Sequence, residues 1–340
     1  MTTNARAGGP EAPASGPAVL PRSASPAEFV DAASAGNHRA VARLVSLVED
    51  ASPALREVMA LLAGRGRGAQ VVGLTGSPGV GKSTTTSALV SAYRARGSQV
   101  GVLAVDPSSP FSGGALLGYR VRMQEHATDP GVYIRSLASR GHLGGLSVAT
   151  PQAVRVLDAC GFDVILVETV GVGQAEVDIA GLADTTVVLL APGMGDGIQA
   201  AKAGILEIAD IFVVNKADRE GAEQTRRDLK HMLQLGPSDL AGGGWRPPVR
   251  LTVASRGEGI LEVVAALDEH REWMERTGEL ARRRLARTAD EIEALALSSL
   301  REQMGSLREG RGLPALADAV VAGRLDPYTA ADRLVAGVTA

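Results

Sequence analysis

The segment Gly76-Ser77-Pro78-Gly79-Val80-Gly81-Lys82-Ser83-Thr84 has the spacing G-x-x-x-x-G-K-[ST]. It stands between a short β-branched run and a stretch of helical periodicity. Each residue type has a use there. The glycines let successive backbone N–H groups wrap a β-phosphate, Lys82 neutralises β and γ oxygens, and the Ser83 hydroxyl is a hard ligand for magnesium at the positive end of a helix. A glycine-rich structural turn is the competing reading, and the strand-before, helix-after context weighs against it.

Asn215-Lys216-Ala217-Asp218 follows the aliphatic run Ile211 to Val214. The Asp218 carboxylate can accept hydrogen bonds from guanine N1–H and N2–H, which adenine does not offer. Leaving that acceptor unpaired costs about 1–3 kcal/mol, so the motif selects GTP over ATP. Taken alone, four residues read equally well as a helix cap. Their place after the phosphate loop, with Ala254-Ser255 past the next strand as a backbone contact to guanine O6, gives them weight.

Two acids end runs that should flank the phosphate loop: Asp106, in Val105-Asp106-Pro107-Ser108-Ser109, and Glu168, in Glu168-Thr169-Val170-Gly171. Asp106 can position magnesium or a water, and Glu168 takes the place of the Walker B acid; a capping or loop-solvating acid is the alternative for each. Lys82, Glu168 and Asp106 are therefore the candidate catalytic residues, with Ser83, Asp106 and Glu168 around the metal. The Gly171 N–H is the expected γ-phosphate sensor, opening a mobile switch that runs to Gln174. Gly113, Gly114, Gly118, Arg120 and Arg122 read as a second switch. Arg140 to Ser147 is a third glycine-rich stretch, for which an ordinary surface loop stays open.

These motifs need a scaffold. From Gln70 to about Leu267, short aliphatic runs alternate with helical stretches, which predicts an α/β fold: a P-loop, doubly wound, mostly parallel sheet covered on both faces. Strands are expected at Val71 to Thr75, Val100 to Val105, Val132 to Arg135, Val164 to Glu168, Thr185 to Leu190, Ile211 to Val214 and Val249 to Val253. Most of the motifs above then fall at strand C-terminal ends, where open α/β sheets bind ligands. Residues 1–25, rich in Ala, Gly, Pro and Ser, are expected to be a disordered tail. Residues 26–68 read as a helical segment, 69–268 as the nucleotide domain and 269–340 as a helical arm. In that arm Leu280, Leu285, Ile292, Leu295, Leu300, Met304 and Leu307 form an apolar stripe that must pack on the nucleotide domain or on a second copy. Gly312-Leu313-Pro314 interrupts it, and a last helix containing Tyr328 to Leu334 follows.

Composition removes other classes. The 340 residues carry 35 basic and 38 acidic side chains without a long run of one sign, which argues against a nucleic-acid binder. One cysteine, Cys160, excludes an internal disulfide framework, and five scattered histidines lack metal-ligand spacing. No apolar run reaches the roughly 18 residues of a membrane span, and no secretory signal opens the chain. A cytoplasmic protein is expected. The Arg- and Ser-bearing N-terminus leaves a transit peptide open, although Glu11 weighs against it.

The phosphate loop, Val105 to Ser109, Ser112-Gly113-Gly114, Arg140-Gly141-His142-Leu143-Gly144-Gly145, Glu168 to Gln174 and Asn215 to Asp218 together resemble the methylmalonyl-CoA-mutase-associated GTPases, the MeaB/ArgK family. The resemblance runs from about Phe29 to the C-terminus. It implies a magnesium-dependent GTPase acting as chaperone of an adenosylcobalamin-dependent acyl-CoA mutase, gating cofactor loading and protecting or rescuing the mutase. It also implies a homodimer joined through the C-terminal arm, and no motif for binding cobalamin directly is present. By position, Lys82 and Ser83 would serve phosphate and magnesium, Asp106 and Glu168 metal and water, and Asn215 and Asp218 the guanine. One residue departs from the family pattern: Tyr119 stands in Gly118-Tyr119-Arg120 where an aspartate is usual. A phenol is a poor magnesium ligand, so either the two acids suffice or metal affinity and hydrolysis are weakened. Rival readings are an ATPase or kinase of amino-acid transport, which Asp218 opposes; a nickel-insertion GTPase, which lacks its His- or Cys-rich segment; and a weakly hydrolysing scaffold.

Overall fold

The computed structural model describes residues 20, 21, 24–106, 123–138, 149–169, 175–193, 206–235, 244–303 and 312–339. The predicted tail lies mostly outside them. Where it is described, Leu20 and Ala24 pack against the helical core. Ser25 opens helix α1 (Pro26–Ser34) through a capping box with Glu28: the Glu28 N–H donates to Ser25 Oγ at 3.3 Å, and the Ser25 N–H donates to Glu28 Oε2 at 2.7 Å.

The β-branched runs become seven strands, all parallel, in the order β3-β2-β4-β1-β5-β6-β7. They are β1 (Gln70–Thr75), β2 (Val100–Asp106), β3 (Val132–Ala138), β4 (Val164–Thr169), β5 (Thr185–Leu190), β6 (Ile211–Asn215) and β7 (Val249–Thr252). Burial on both faces explains why the runs are continuously aliphatic. Alternate residues divide between the faces: Ile165 and Val167 of β4 join one core, and Val164 and Leu166 the other.

The first face is covered by α1, α2 (His38–Glu49), α3 (Leu55–Leu62) and, after the phosphate-loop helix α4 (Lys82–Ala95) on the other face, by α5 (Ala149–Ala159) and α6 (Ala175–Leu182). The N-terminal helices thus complete the core of the nucleotide domain, with Leu44 and Val45 packed in one cluster with Leu103 and Ile165. Arg135 of β3 reinforces this by pairing with Glu49. The second face carries α4 and α8 (Ile260–Thr277), while α7 (Ala222–Leu235) packs near β6 and β7. Cys160 directly follows α5, and burial raises its thiol to about 12, keeping it a neutral thiol at physiological pH.

The sequence reading divides nucleotide domain from arm at Asp268, whereas α8 continues through that point with His270 and Met274 buried. The described chain separates instead between Thr277 and Gly278, whose left-handed φ of 76° ends the helix. The second unit holds α9 (Glu279–Gln303), α10 (Gly312–Val321) and α11 (Pro327–Thr339). Helix α10 departs from the expected break. Pro314 sits in its first turn, where a missing N–H costs no helical hydrogen bond. Along α9, Leu285, Ile292, Leu295, Leu297 and Leu300 are exposed. At its start, hydrogen bonds from Arg282 and then Arg283 lower the Glu279 carboxyl to about 2.

Candidate functional site

β1 ends at Thr75, and the chain turns over the sheet at Gly76 with φ 137°. A Cβ there would stand 2.3 Å from the Leu189 carbonyl oxygen, so only glycine lets the loop cross β5 this closely. The turn closes at Gly81, in the left-handed region at φ 97°, with no side chain capping the helix that follows. The first N–H groups of α4 therefore open toward the loop, an arrangement that favours an anion. Lys82 is buried in the first turn, and its ammonium donates to the carbonyls of Gly76 and Ser77. It holds a positive charge within the cradle.

Glu168 belongs to β4, beside Leu74 of β1 and Ala104 of β2. The residue is 2% exposed, and its carboxylate accepts from Ser83 Oγ at 2.7 Å and from Thr86 Oγ1 at 2.8 Å. The Walker B acid and the metal-ligand serine expected from sequence are thus in direct contact. Their oxygens are the hard donors that magnesium takes, so the residues present fit that ion. Asp106 is the last residue of β2, one position beyond the Val105–Thr169 pair. Gly171 and Tyr119, with the stretches 113–122 and 140–147, lie outside the described residues.

Asn215 links the Asn215–Asp218 segment to the loop before α4. Its side-chain amide donates to the Val80 carbonyl at 2.9 Å, and its oxygen accepts from Thr252 Oγ1 and the Ala254 N–H, each at 3.1 Å. A Cβ on Gly81 would approach that amide nitrogen to 2.3 Å. Asn215 is therefore a brace between three loops, and its side chain is engaged with the protein itself. Lys216 adopts φ 58°, unusual for a residue with a side chain, and its ammonium donates to the Gly79 carbonyl at 2.6 Å. Asp218 lies 3.4 Å from the Arg256 guanidinium, which also stands 3.2 Å from Glu258. All three are about half exposed, so these pairs orient the carboxylate more than they stabilise the fold. Ala254 and Ser255 form a 3-10 turn with Arg256 beside them.

Sequence reasoning missed Thr86, Arg256 and the tether from Lys216. Thr86 carried a signal, one helical turn after Lys82 on a face turned to the sheet. Arg256 directly follows the pair Ala254-Ser255, and nothing in its place in the sequence points to Asp218, 38 positions earlier.

The sequence model of the family described as methylmalonyl-CoA mutase-associated GTPase MeaB matches residues 41–309. A protein of Pyrococcus abyssi named as a GTPase is 48% identical over 309 residues, covering 91% of this chain and 95% of its own length. The mouse methylmalonic aciduria type A homolog, a mitochondrial protein, is 38% identical over 268 residues, covering 78% of this chain and 64% of its own. Among solved structures, that of a LAO/AO transport system kinase superposes with TM-score 0.70 at 25% identity, over 95% of this chain and 100% of the other.

Proposed function

The chain belongs to the methylmalonyl-CoA mutase-associated GTPase family, and from that premise we propose that it is a GTP-hydrolysing chaperone of an adenosylcobalamin-dependent acyl-CoA mutase. In this reading it gates cofactor loading and protects the mutase. The observation that carries the nucleotide half is the Asn215 brace, which fixes the base loop and the phosphate loop at one spacing. The span suits one ligand with a base at one end and phosphates at the other. The family match supports the mutase as client.

Phosphates sit on the N–H groups of residues 76, 77 and 79–84, with Lys82 neutralising β and γ oxygens. Ser83, Glu168 and Asp106 would hold magnesium, directly or through its water, and the ion would supply neutralisation of phosphate charge. Glu168 orients the attacking water, and the N–H of Gly171 senses the γ-phosphate. Asp218 reads guanine, Lys216 and Asn215 hold its loop, and Ala254 and Ser255 meet O6. The exposed leucines of α9 are the surface for a second copy, making a homodimer. Among the described residues no helix is long and apolar enough to cross a membrane. We place the protein in the cytoplasm, with neither nucleic acid nor membrane as partner and no cobalamin held by a motif of its own.

Tyr119 favours a second reading, a scaffold that binds GTP and hydrolyses it weakly. Transport-linked ATPase or kinase activity, suggested by the name of the structural relative, requires adenine recognition, which the Asp218 carboxylate disfavours.

Asp218→Asn tests base reading. An amide presents a donor to guanine N1–H and N2–H, so GTP affinity should fall about 10- to 100-fold while ATP affinity stays low. Xanthosine triphosphate, with a carbonyl at C2, should gain. A GTP-to-ATP preference that does not move would remove Asp218 from the site.

A further inference from the structure

A groove of about 580 Å³ runs along the outer face of α4. It touches Ser83 and Thr84 at the phosphate end, Ala254 and Ser255 at the base loop, and Ser87 and Glu125 along its wall. A nucleoside triphosphate carries its sugar between phosphates and base, so a groove in contact with both ends is placed to receive the sugar. Among the described residues that line the groove, Glu125 is the one ionisable residue.

Glu125 is held in place from beneath. It belongs to the 3-10 turn Gln124–His126, which Met123 and His126 bury against the domain, at 1% and 8% exposure. His126 Nε2 lies 2.9 Å from Ser87 Oγ and 3.1 Å from the Ser87 carbonyl, an acceptor that makes this nitrogen the protonated one. Ser87 Oγ then accepts from His126 and donates to Glu125 Oε1. One carboxylate oxygen is thereby engaged. The other, Oε2, has no protein hydrogen-bond partner among the described residues, on a side chain 67% exposed.

We propose that Glu125 reads the sugar: its carboxylate accepts hydrogen bonds from the 2′- and 3′-hydroxyls of bound guanosine nucleotide, with Ser87 and His126 as its positioning residues. Carboxylates serve ribose hydroxyls in other nucleotide sites by the same donor-to-acceptor match. The inference rests on the GTP reading above and extends it to discrimination between ribonucleotides and deoxyribonucleotides. Charge-assisted bonds of this kind are worth about ten-fold or more in affinity.

The test is calorimetric titration of the full chain with GTP, 2′,3′-dideoxy-GTP and ATP. The unaltered chain should bind GTP about ten-fold more tightly than the dideoxy nucleotide. Glu125→Ala should erase that ratio while leaving the GTP-to-ATP preference in place, and Glu125→Gln, which keeps an acceptor, should retain part of it. The side chain is exposed, so neither change should alter the melting temperature by more than a few degrees. Equal affinity of the unaltered chain for GTP and dideoxy-GTP, or a ratio that survives Glu125→Ala, would overturn this inference alone. Failure of the unaltered chain to prefer GTP over ATP would overturn the GTP reading, and this inference with it.

Discussion

Lys82→Ala should weaken GTP binding by about 10²- to 10⁴-fold, the loss of two charge-assisted contacts to phosphate. Lys82 is 7% exposed, and its ammonium already lies inside the loop, bonded to the Gly76 and Ser77 carbonyls. It therefore meets phosphate oxygens without a large rearrangement, and its charge acts where water is scarce. Alanine is a good helix former in the first turn of α4, so the fold should persist. Calorimetry with GTP and magnesium measures the effect. Unchanged affinity would mean that the cradle does not hold the triphosphate.

Glu168→Gln should lower kcat by about 10²- to 10³-fold with little change in GTP affinity. The carboxylate holds the hydroxyls of Ser83 and Thr86 at the start of α4, 2.7 and 2.8 Å away. Glutamine keeps the shape and one acceptor oxygen but presents an amide donor in place of the other. It loses the negative charge that orients a water or metal-held water. Single-turnover hydrolysis, titrated with magnesium, separates the causes. A rate restored by high magnesium assigns the loss to metal binding, and a rate that stays low assigns it to water orientation. A rate equal to that of the unaltered chain would remove Glu168 from the chemistry.

The strands were legible because each is buried on both faces and so reads as an unbroken aliphatic run; all seven stand where the sequence places them, to within a few residues at their ends. The phosphate loop and Glu168 were legible for another reason, since their chemistry dictates residue types at short spacing. What escaped was long-range. Asn215 meets Val80 across 135 positions and Thr86 meets Glu168 across 82, and no local pattern announces either contact. Composition also misled at two places. Asp268 looks like the start of a charged arm, yet His270 beyond it is buried, bonded to Thr185 Oγ1 at 2.8 Å and flanked by Trp245 and Trp273. Gly312 and Pro314 look like a break and instead start α10.

The measurement that bears most directly on the central claim is steady-state GTP hydrolysis by the full chain, with ATP as control, alone and with adenosylcobalamin-dependent acyl-CoA mutases. Isolated G domains turn over at roughly 10⁻⁴ to 10⁻² per second, so the change caused by the partner is the informative quantity. The expected result is slow, GTP-selective hydrolysis that one mutase accelerates. GTP bound tightly and hydrolysed at the same rate with every such mutase would contradict it.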